Sequence, residues 1–114
     1  MNKTTNETDC ITAIDDVLQI FGGKWSFLVV QHLFKGSQRF NQLQKNLGTI
    51  STKSLADILR HLEKKEVILR VVYPTNPVSV EYSLTDKGKD FQTILVEMGN
   101  WRKRWGPSKS NHTV

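Results

Sequence analysis

The sequence is poor in cysteine and in long apolar runs. Its 114 residues include one cysteine, Cys10, which cannot form a disulfide within the chain, so a disulfide-stabilised scaffold is excluded. The longest apolar run, Phe27–Val30, is far shorter than the ~20 residues of a membrane-spanning helix. Residues 1–9 are polar and lack the apolar core of a signal peptide. We therefore expect a cytoplasmic protein with no membrane partner.

Patterns that support catalysis or metal binding are also lacking. His32, His61 and His112 are far apart, and none has a second ligand at metal-binding spacing. Cys10 has no histidine nearby in the sequence, and Gly22-Gly23-Lys24 lacks the remainder of a phosphate-binding loop. We expect neither an enzyme nor a bound cofactor.

The length fits one domain with a modest core. Apolar residues make up 38% of the chain, a lean share that favours a dimer in which a second copy covers apolar surface. The polar ends predict a flexible N-terminal arm at 1–10 and a polar tail at 107–114. The domain itself is expected at 11–106.

Positive charge is concentrated in one stretch of the chain. The net charge is +5, and residues 35–70 contain eight basic side chains against three acidic ones, so this stretch accounts for the whole excess. A local excess of this kind favours a polyanionic partner such as double-stranded DNA. An ordinary solvated face that happens to be basic would show the same charge.

Hydrophobic periodicity predicts mostly helices. Apolar residues recur at helical spacing over Ile14–Phe21, Trp25–Leu33, Phe40–Leu47 and Leu55–Leu62, and Ser51 is a suitable N-cap for the fourth helix. The third and fourth helices are separated by about four residues, which suits a helix-turn-helix.

The period then changes to two. A strand with one buried face is predicted from the alternating residues Val78, Val80, Tyr82 and Leu84. Ile68–Tyr73 is predicted to pair with it across a turn at 74–77, and Thr85 to cap a last helix that Gly88 weakens slightly. The sequence therefore predicts a mainly α fold with a small β-hairpin wing, a winged helix-turn-helix.

The fourth helix carries the candidate DNA-contacting face. Lys53, Arg60 and Lys64 lie opposite its apolar stripe, and its N-terminal part is the one that best reaches base edges in a major groove. An ordinary amphipathic helix would share this pattern, but the adjacent hairpin and the clustered charge favour DNA. With phosphate anchors and the wing tip included, the candidate DNA-contacting residues are Arg39, Ser51, Thr52, Lys53, Ser54, Arg60, Lys64, Arg70 and Asn76.

Several short motifs follow one another over roughly 10–101. They are Gly22–Trp25, Arg39-Phe40, Leu43, Ile50–Leu55, Leu59–Glu63, Arg70 and Pro77–Gly88. Together they resemble the HxlR-type winged-helix regulators, which are relatives of the MarR-type repressors. The resemblance implies a transcription regulator, with repression favoured, that binds a near-palindromic operator as a homodimer built from its first and last helices. On those two helices the candidate interface residues are Ile14, Leu18, Leu95, Met98, Trp101 and Trp105.

Two positions depart from the family pattern. Cys10 is followed by Ile11 where relatives often have proline, and the turn before the wing, Lys65-Glu66-Val67, lacks the usual glycine. Because valine adopts a left-handed backbone only at high cost, that turn is predicted to differ slightly. In some relatives a cysteine near this place senses oxidants or electrophiles. Asp9 disfavours a reactive thiolate and a nearby helix N-terminus favours one, so Cys10 is either a redox sensor or an inert thiol.

Two further alternatives stay open. The first is a winged-helix protein-interaction module with no role on DNA, against which the cations of the fourth helix argue. The second is a ligand pocket at Trp25 and Trp101, although aromatic residues at helical spacing more often belong to a core or a dimer seam. The operator and the small-molecule inducer are not specified by the sequence.

Overall fold

The fold is a helix-turn-helix followed by a β-hairpin, with two further helices before this unit and two after it. The computed structural model describes residues 7–106, and their side chains from Asp9 onward. The elements are α1 (Glu7–Ile20), α2 (Lys24–Leu33), β1 (Gln38–Arg39), α3 (Phe40–Leu47), α4 (Thr52–Lys64), β2 (Ile68–Tyr73), β3 (Ser79–Leu84), α5 (Asp86–Asp90) and α6 (Gln92–Trp105). This order confirms the predicted winged helix-turn-helix. None of the described helices is long and apolar enough to cross a membrane.

The predicted boundaries at the chain ends need one change. Helix α1 begins at Glu7, so Cys10 lies inside this helix and not in the arm predicted at 1–10. Periodicity did not predict the first turn of this helix, because its residues are polar and the apolar stripe starts only at Ile11. The remainder of the predicted arm and the tail at 107–114 lie outside the described residues.

The ends of α3 and α4 follow from local chemistry. Helix α3 stops at Gly48, whose φ of 96° is open to glycine and costly for other residues. The Ser51 hydroxyl caps α4 by accepting from the Ser54 backbone N–H at 3.0 Å, as predicted. At the other end of α4, the Val67 N–H donates to the Leu62 carbonyl at 2.9 Å, and Glu66 has a φ of 65°. These contacts form a Schellman-type C-cap in which Glu66 adopts the left-handed backbone. Val67 therefore does not adopt that conformation, which is costly for valine.

The sheet has three antiparallel strands in the order β1-β3-β2, so β3 is the central strand. The two-residue strand β1 was not predicted, since two residues carry no periodic signal. The predicted alternation of burial along β3 is wrong in detail. Val78 precedes the strand and is exposed, Val80 and Tyr82 are half-buried, and only Leu84 reaches the core. The hairpin extends beyond the helices that could cover it, which explains the exposure.

The core lies between α2, α3, α4 and the base of the hairpin. Its fully buried side chains are Val29, Val30, Leu43, Leu55, Leu59, Leu62 and Ile68. Phe21 stacks on Phe27 and on Phe91, with ring centroids 4.8 and 4.3 Å apart, and so joins the end of α1 and the end of α5 to this core.

The predicted last helix is interrupted at Phe91, where α5 ends and α6 begins. Thr85 caps α5 as predicted, because its hydroxyl accepts from the Gly88 N–H at 3.0 Å. Gly88 has a different role from the predicted one. A Cβ at this buried position would collide with the Val67 carbonyl oxygen, so glycine permits the close approach of α5 to the turn after α4.

Candidate nucleic-acid interface

Helix α4 packs on the core with one face and presents the other to solvent. Leu55, Leu59 and Leu62 are buried beneath it. On the opposite side the Lys53 and Arg60 side chains are 86% and 71% exposed. Ser51, Thr52 and Ser54 are exposed at the N-terminal end of the helix. Ser51–Ser54 and Arg60 are therefore all exposed on the side of α4 that faces away from the core, and we call this surface the α4 outer face.

The orientation of α4 relative to α3 is fixed by an amide that sequence reasoning missed. The Gln44 side chain donates from Nε2 to the Ile50 carbonyl at 3.2 Å and to the Thr52 hydroxyl at 3.1 Å. It thereby bridges the end of α3, the turn and the first residue of α4. The signal available in the sequence was a glutamine in the last turn of α3. The neighbouring residues do not distinguish such a glutamine from a solvated side chain.

A second amide connects the supporting elements. Gln38 of β1 is buried, and its Nε2 donates to the His32 carbonyl at 2.8 Å while its Oε1 accepts from Asn46 at 3.0 Å. This arrangement ties α2 to α3 through β1. Buried amides of this kind are favourable only when both ends are satisfied, so they hold a defined geometry.

Asp57 lies in the middle of the α4 outer face between the two cations. Its Oδ2 is 2.9 Å from Lys53 Nζ, and its Oδ1 is 2.9 Å from Arg60 Nη1. Hydrogen bonds from Lys53 and then from Arg60 hold the pKa of the Asp57 carboxyl below its ordinary value. The carboxylate is therefore ionised at any pH at which the protein would meet DNA.

The other predicted DNA-contacting residues surround α4 at different distances. Arg70 and Arg60 line the same cleft of about 210 Å³ between α4 and the wing. Lys64 ends α4, roughly 16 Å along the helix axis from Lys53. Arg39 is exposed on β1, in register with Glu81 of β3, and Asn76 is exposed at the hairpin tip. The structure thus brings Arg70 beside Arg60, whereas Lys64 at the far end of α4, Arg39 on β1 and Asn76 at the hairpin tip are peripheral residues.

The end helices carry the apolar residues proposed from sequence for dimerisation. Five of them, Ile14, Leu18, Met98, Trp101 and Trp105, are each more than half exposed. Leu95 is half-buried against the core. No residue of α6 is buried, although the helix is as long as any other described element.

The two tryptophans considered for a ligand pocket have different surroundings. Trp25 packs on the core, whereas Trp101 is exposed on α6. Among the described residues no group of histidines, cysteines or carboxylates could hold a metal ion. The His61 Nε2 lies 2.7 Å from the Gln19 carbonyl, and His112 lies outside the described residues.

Comparison with known proteins gives one consistent family. A model described as HxlR-like helix-turn-helix matches residues 20–110. The HTH-type transcriptional regulator YvaP of Bacillus subtilis is 37% identical over 100 residues, which is 88% of this chain and 93% of YvaP.

Solved structures agree with this result. The reduced form of the transcriptional regulator YodB from B. subtilis superposes with a TM-score of 0.76 at 33% identity, covering 82% of this chain and 91% of YodB. The redox regulator HypR in its oxidised form superposes with a TM-score of 0.75 at 31% identity, covering 84% of this chain and 99% of HypR. A quinone-bound form of YodB has also been solved and superposes with a TM-score of 0.72 at 30% identity, over 82% of this chain and 97% of that one.

Proposed function

The chain belongs to the HxlR-like helix-turn-helix family of transcription regulators, and we propose that it binds double-stranded DNA sequence-specifically as a homodimer. The observation that carries this proposal is the α4 outer face. A capped helix N-terminus, short hydroxyl side chains and exposed cations lie together on a helix whose opposite side is fixed in the core. A major groove admits a helix presented in this way.

The residues of the α4 outer face have two proposed roles. Ser51, Thr52, Lys53 and Ser54 lie at the end of the helix that enters the groove, so they contact base edges or the nearest phosphates. Arg60 and Arg70 line the cleft beside the wing and neutralise phosphates. The peripheral residues Arg39, Lys64 and Asn76 contact the DNA backbone or, at the wing tip, the minor groove.

The end helices supply the proposed dimer interface. Exposed apolar side chains on α1 and α6 form a surface that a monomer would leave in water, and burying it against a second copy recovers hydrophobic free energy. A two-fold dimer positions two α4 helices for half-sites about 34 Å apart, which requires a near-palindromic operator. A dimer bound over a promoter excludes the polymerase, so we propose repression in the cytoplasm.

The alternative is a protein-interaction module with no role on DNA. Such a module needs no cationic face on the second helix of the helix-turn-helix. Lys53, Arg60 and Arg70 on one accessible surface therefore favour DNA over this alternative.

The test is selection of bound duplexes from a random-sequence pool, followed by titration of the selected duplex. We expect a palindromic consensus from the wild-type protein. Lys53→Ala should cost about 1–3 kcal/mol on the selected duplex and much less on random duplex, because a base contact is lost. Arg70→Ala should weaken both alike and flatten the salt dependence by about one unit. Equal losses on both duplexes for Lys53→Ala would contradict its proposed role, and absence of any duplex binding would overturn the proposed function.

A thiol response through Cys10 is the proposed signal. The thiol is exposed in the first part of α1, a helix that carries proposed dimer residues. Two redox-related relatives, YodB and HypR, share the fold. A Cys10 adduct or a disulfide to a second copy would alter the α1 contacts and hence the spacing of the two α4 helices.

Duplex affinity measured with and without diamide or a quinone tests this signal. We expect the oxidant to weaken binding by wild type and to leave Cys10→Ser unchanged. Wild-type affinity that stays constant after complete modification of the thiol would eliminate Cys10 as the switch.

A further inference from the structure

The acidic residue at the centre of the α4 outer face has no role in the function proposed above. Asp57 is half-exposed and lies in the second turn of α4 among cations that would face DNA. A carboxylate there repels phosphate, so a surface selected only for affinity would not contain it. Its presence at this position needs a separate explanation.

Helix stabilisation explains it poorly. Ion pairs between exposed side chains contribute little. Lys53 stands N-terminal to Asp57, the less favourable order, and only the i,i+3 pair with Arg60 has the favourable order. The two contacts have a clearer consequence for geometry. One carboxylate oxygen holds Lys53 and the other holds Arg60, each at 2.9 Å, so two long side chains are fixed before DNA arrives.

The carboxylate keeps acceptor capacity after these contacts. A carboxylate has about four lone-pair sites, and the two ion pairs occupy two of them. In a major groove the partner suited to a carboxylate is the N4 amino group of cytosine. Guanine and thymine present no donor there, and the N6 amino group of adenine stands beside the N7 acceptor, so DNA without a suitably placed cytosine meets the carboxylate less favourably.

We propose that Asp57 is a specificity-determining residue, which accepts a hydrogen bond from a cytosine amino group of the operator and disfavours DNA that lacks an amino group at this position. The proposal rests on the function proposed above, in which α4 lies in the major groove. Lys53 and Arg60 supply the attraction, and Asp57 restricts it to sequences that satisfy the carboxylate. Discrimination then comes from repulsion of wrong partners as well as attraction to the right one.

The test compares Asp57→Asn with Asp90→Asn. Both variants make the same change at an exposed helical position, but Asp90 has no ion pair among the described residues and lies on α5, outside the α4 outer face and its cleft. For Asp57→Asn we expect affinity for random duplex to rise about tenfold, because a like-charge contact is removed. The salt dependence on that duplex should steepen by about one unit as the freed cations reach a phosphate. For Asp90→Asn both duplex affinities should change less than about threefold, since an unpaired exposed charge is screened by salt.

Selection from a random pool gives the second readout. The wild-type consensus should contain a cytosine in each half-site that Asp57→Asn no longer selects, with adenine favoured in its place because asparagine pairs with adenine. Unchanged selectivity in Asp57→Asn, or equal effects of the two variants, would overturn the proposal while leaving DNA binding by the wild type intact. Circular dichroism and thermal unfolding of both variants establish that each is folded. Failure of the wild type to bind any duplex would overturn the proposed function first and this proposal with it.

Discussion

The central part of the molecule buries its apolar side chains, whereas its two end helices expose most of theirs. From α2 to β3, leucines and valines such as Leu43 and Val29 are completely buried, and polar amides such as Gln38 are satisfied inside the structure. On α1 and α6 the large apolar residues lie on the surface, up to Trp105 at 72% exposed. Both regions are helical and both carry apolar stripes at helical spacing.

The difference separates two sources of stability. The central part supplies most of the buried core within one chain, completed by Phe21 and Phe91. The end helices are joined to it through the Phe21, Phe27 and Phe91 stack and through Ile20 and Leu95, and they leave most of their other large apolar side chains exposed. Exposed apolar area of this extent indicates an interface. The central part therefore determines the fold, and the end helices are expected to determine assembly.

The largest effect is expected from the core. Leu43→Ala should lower the free energy of unfolding by about 2–5 kcal/mol, because it removes buried apolar contacts and leaves a cavity. The matched variant Leu18→Ala, on the exposed face of α1, should cost stability only when the protein is dimeric. Chemical denaturation at two protein concentrations distinguishes them. A Leu18→Ala loss that is the same at every concentration would remove the distinction between the regions.

An intermediate effect is expected from the interface. Trp101→Arg places a charge in the proposed dimer interface. It should weaken dimerisation by at least about 2 kcal/mol, as expected for the loss of a buried aromatic anchor. Sedimentation should show monomers that retain the far-ultraviolet helical signal, and affinity for the selected duplex should fall in parallel. The central part must stay folded in this variant for the comparison to hold. A wild-type protein that sediments as a monomer at micromolar concentration would contradict the proposed dimer.

The smallest effect is expected at the helix cap within the central part. Ser51→Ala should cost about 1 kcal/mol of stability, since the Ser54 N–H loses its acceptor at the start of α4. Ser54→Ala is the control, because only its backbone N–H takes part in the cap. Thermal unfolding of both variants measures the difference. Equal stability would show that water replaces the cap at no cost and that α4 is held by its packing alone.

The sequence alone determined the features that depend on neighbouring residues. Periodicity located α2, α3, α4 and the hairpin, Ser51 and Thr85 identified the caps, and the charge on residues 35–70 indicated the cationic face. These features follow from backbone and side-chain preferences within one or two turns. The order of the elements was then enough to predict the winged helix-turn-helix.

Tertiary structure decided what depends on residues distant in the chain. Gln44 donates to Ile50 and Thr52, which lie six and eight residues further along the chain. Gly88 is required because α5 approaches Val67. Val78 is exposed because the hairpin extends past the helices, and β1 exists only because β3 pairs with it. None of these could be predicted from the sequence, because each depends on which surfaces meet, and local propensity does not specify that.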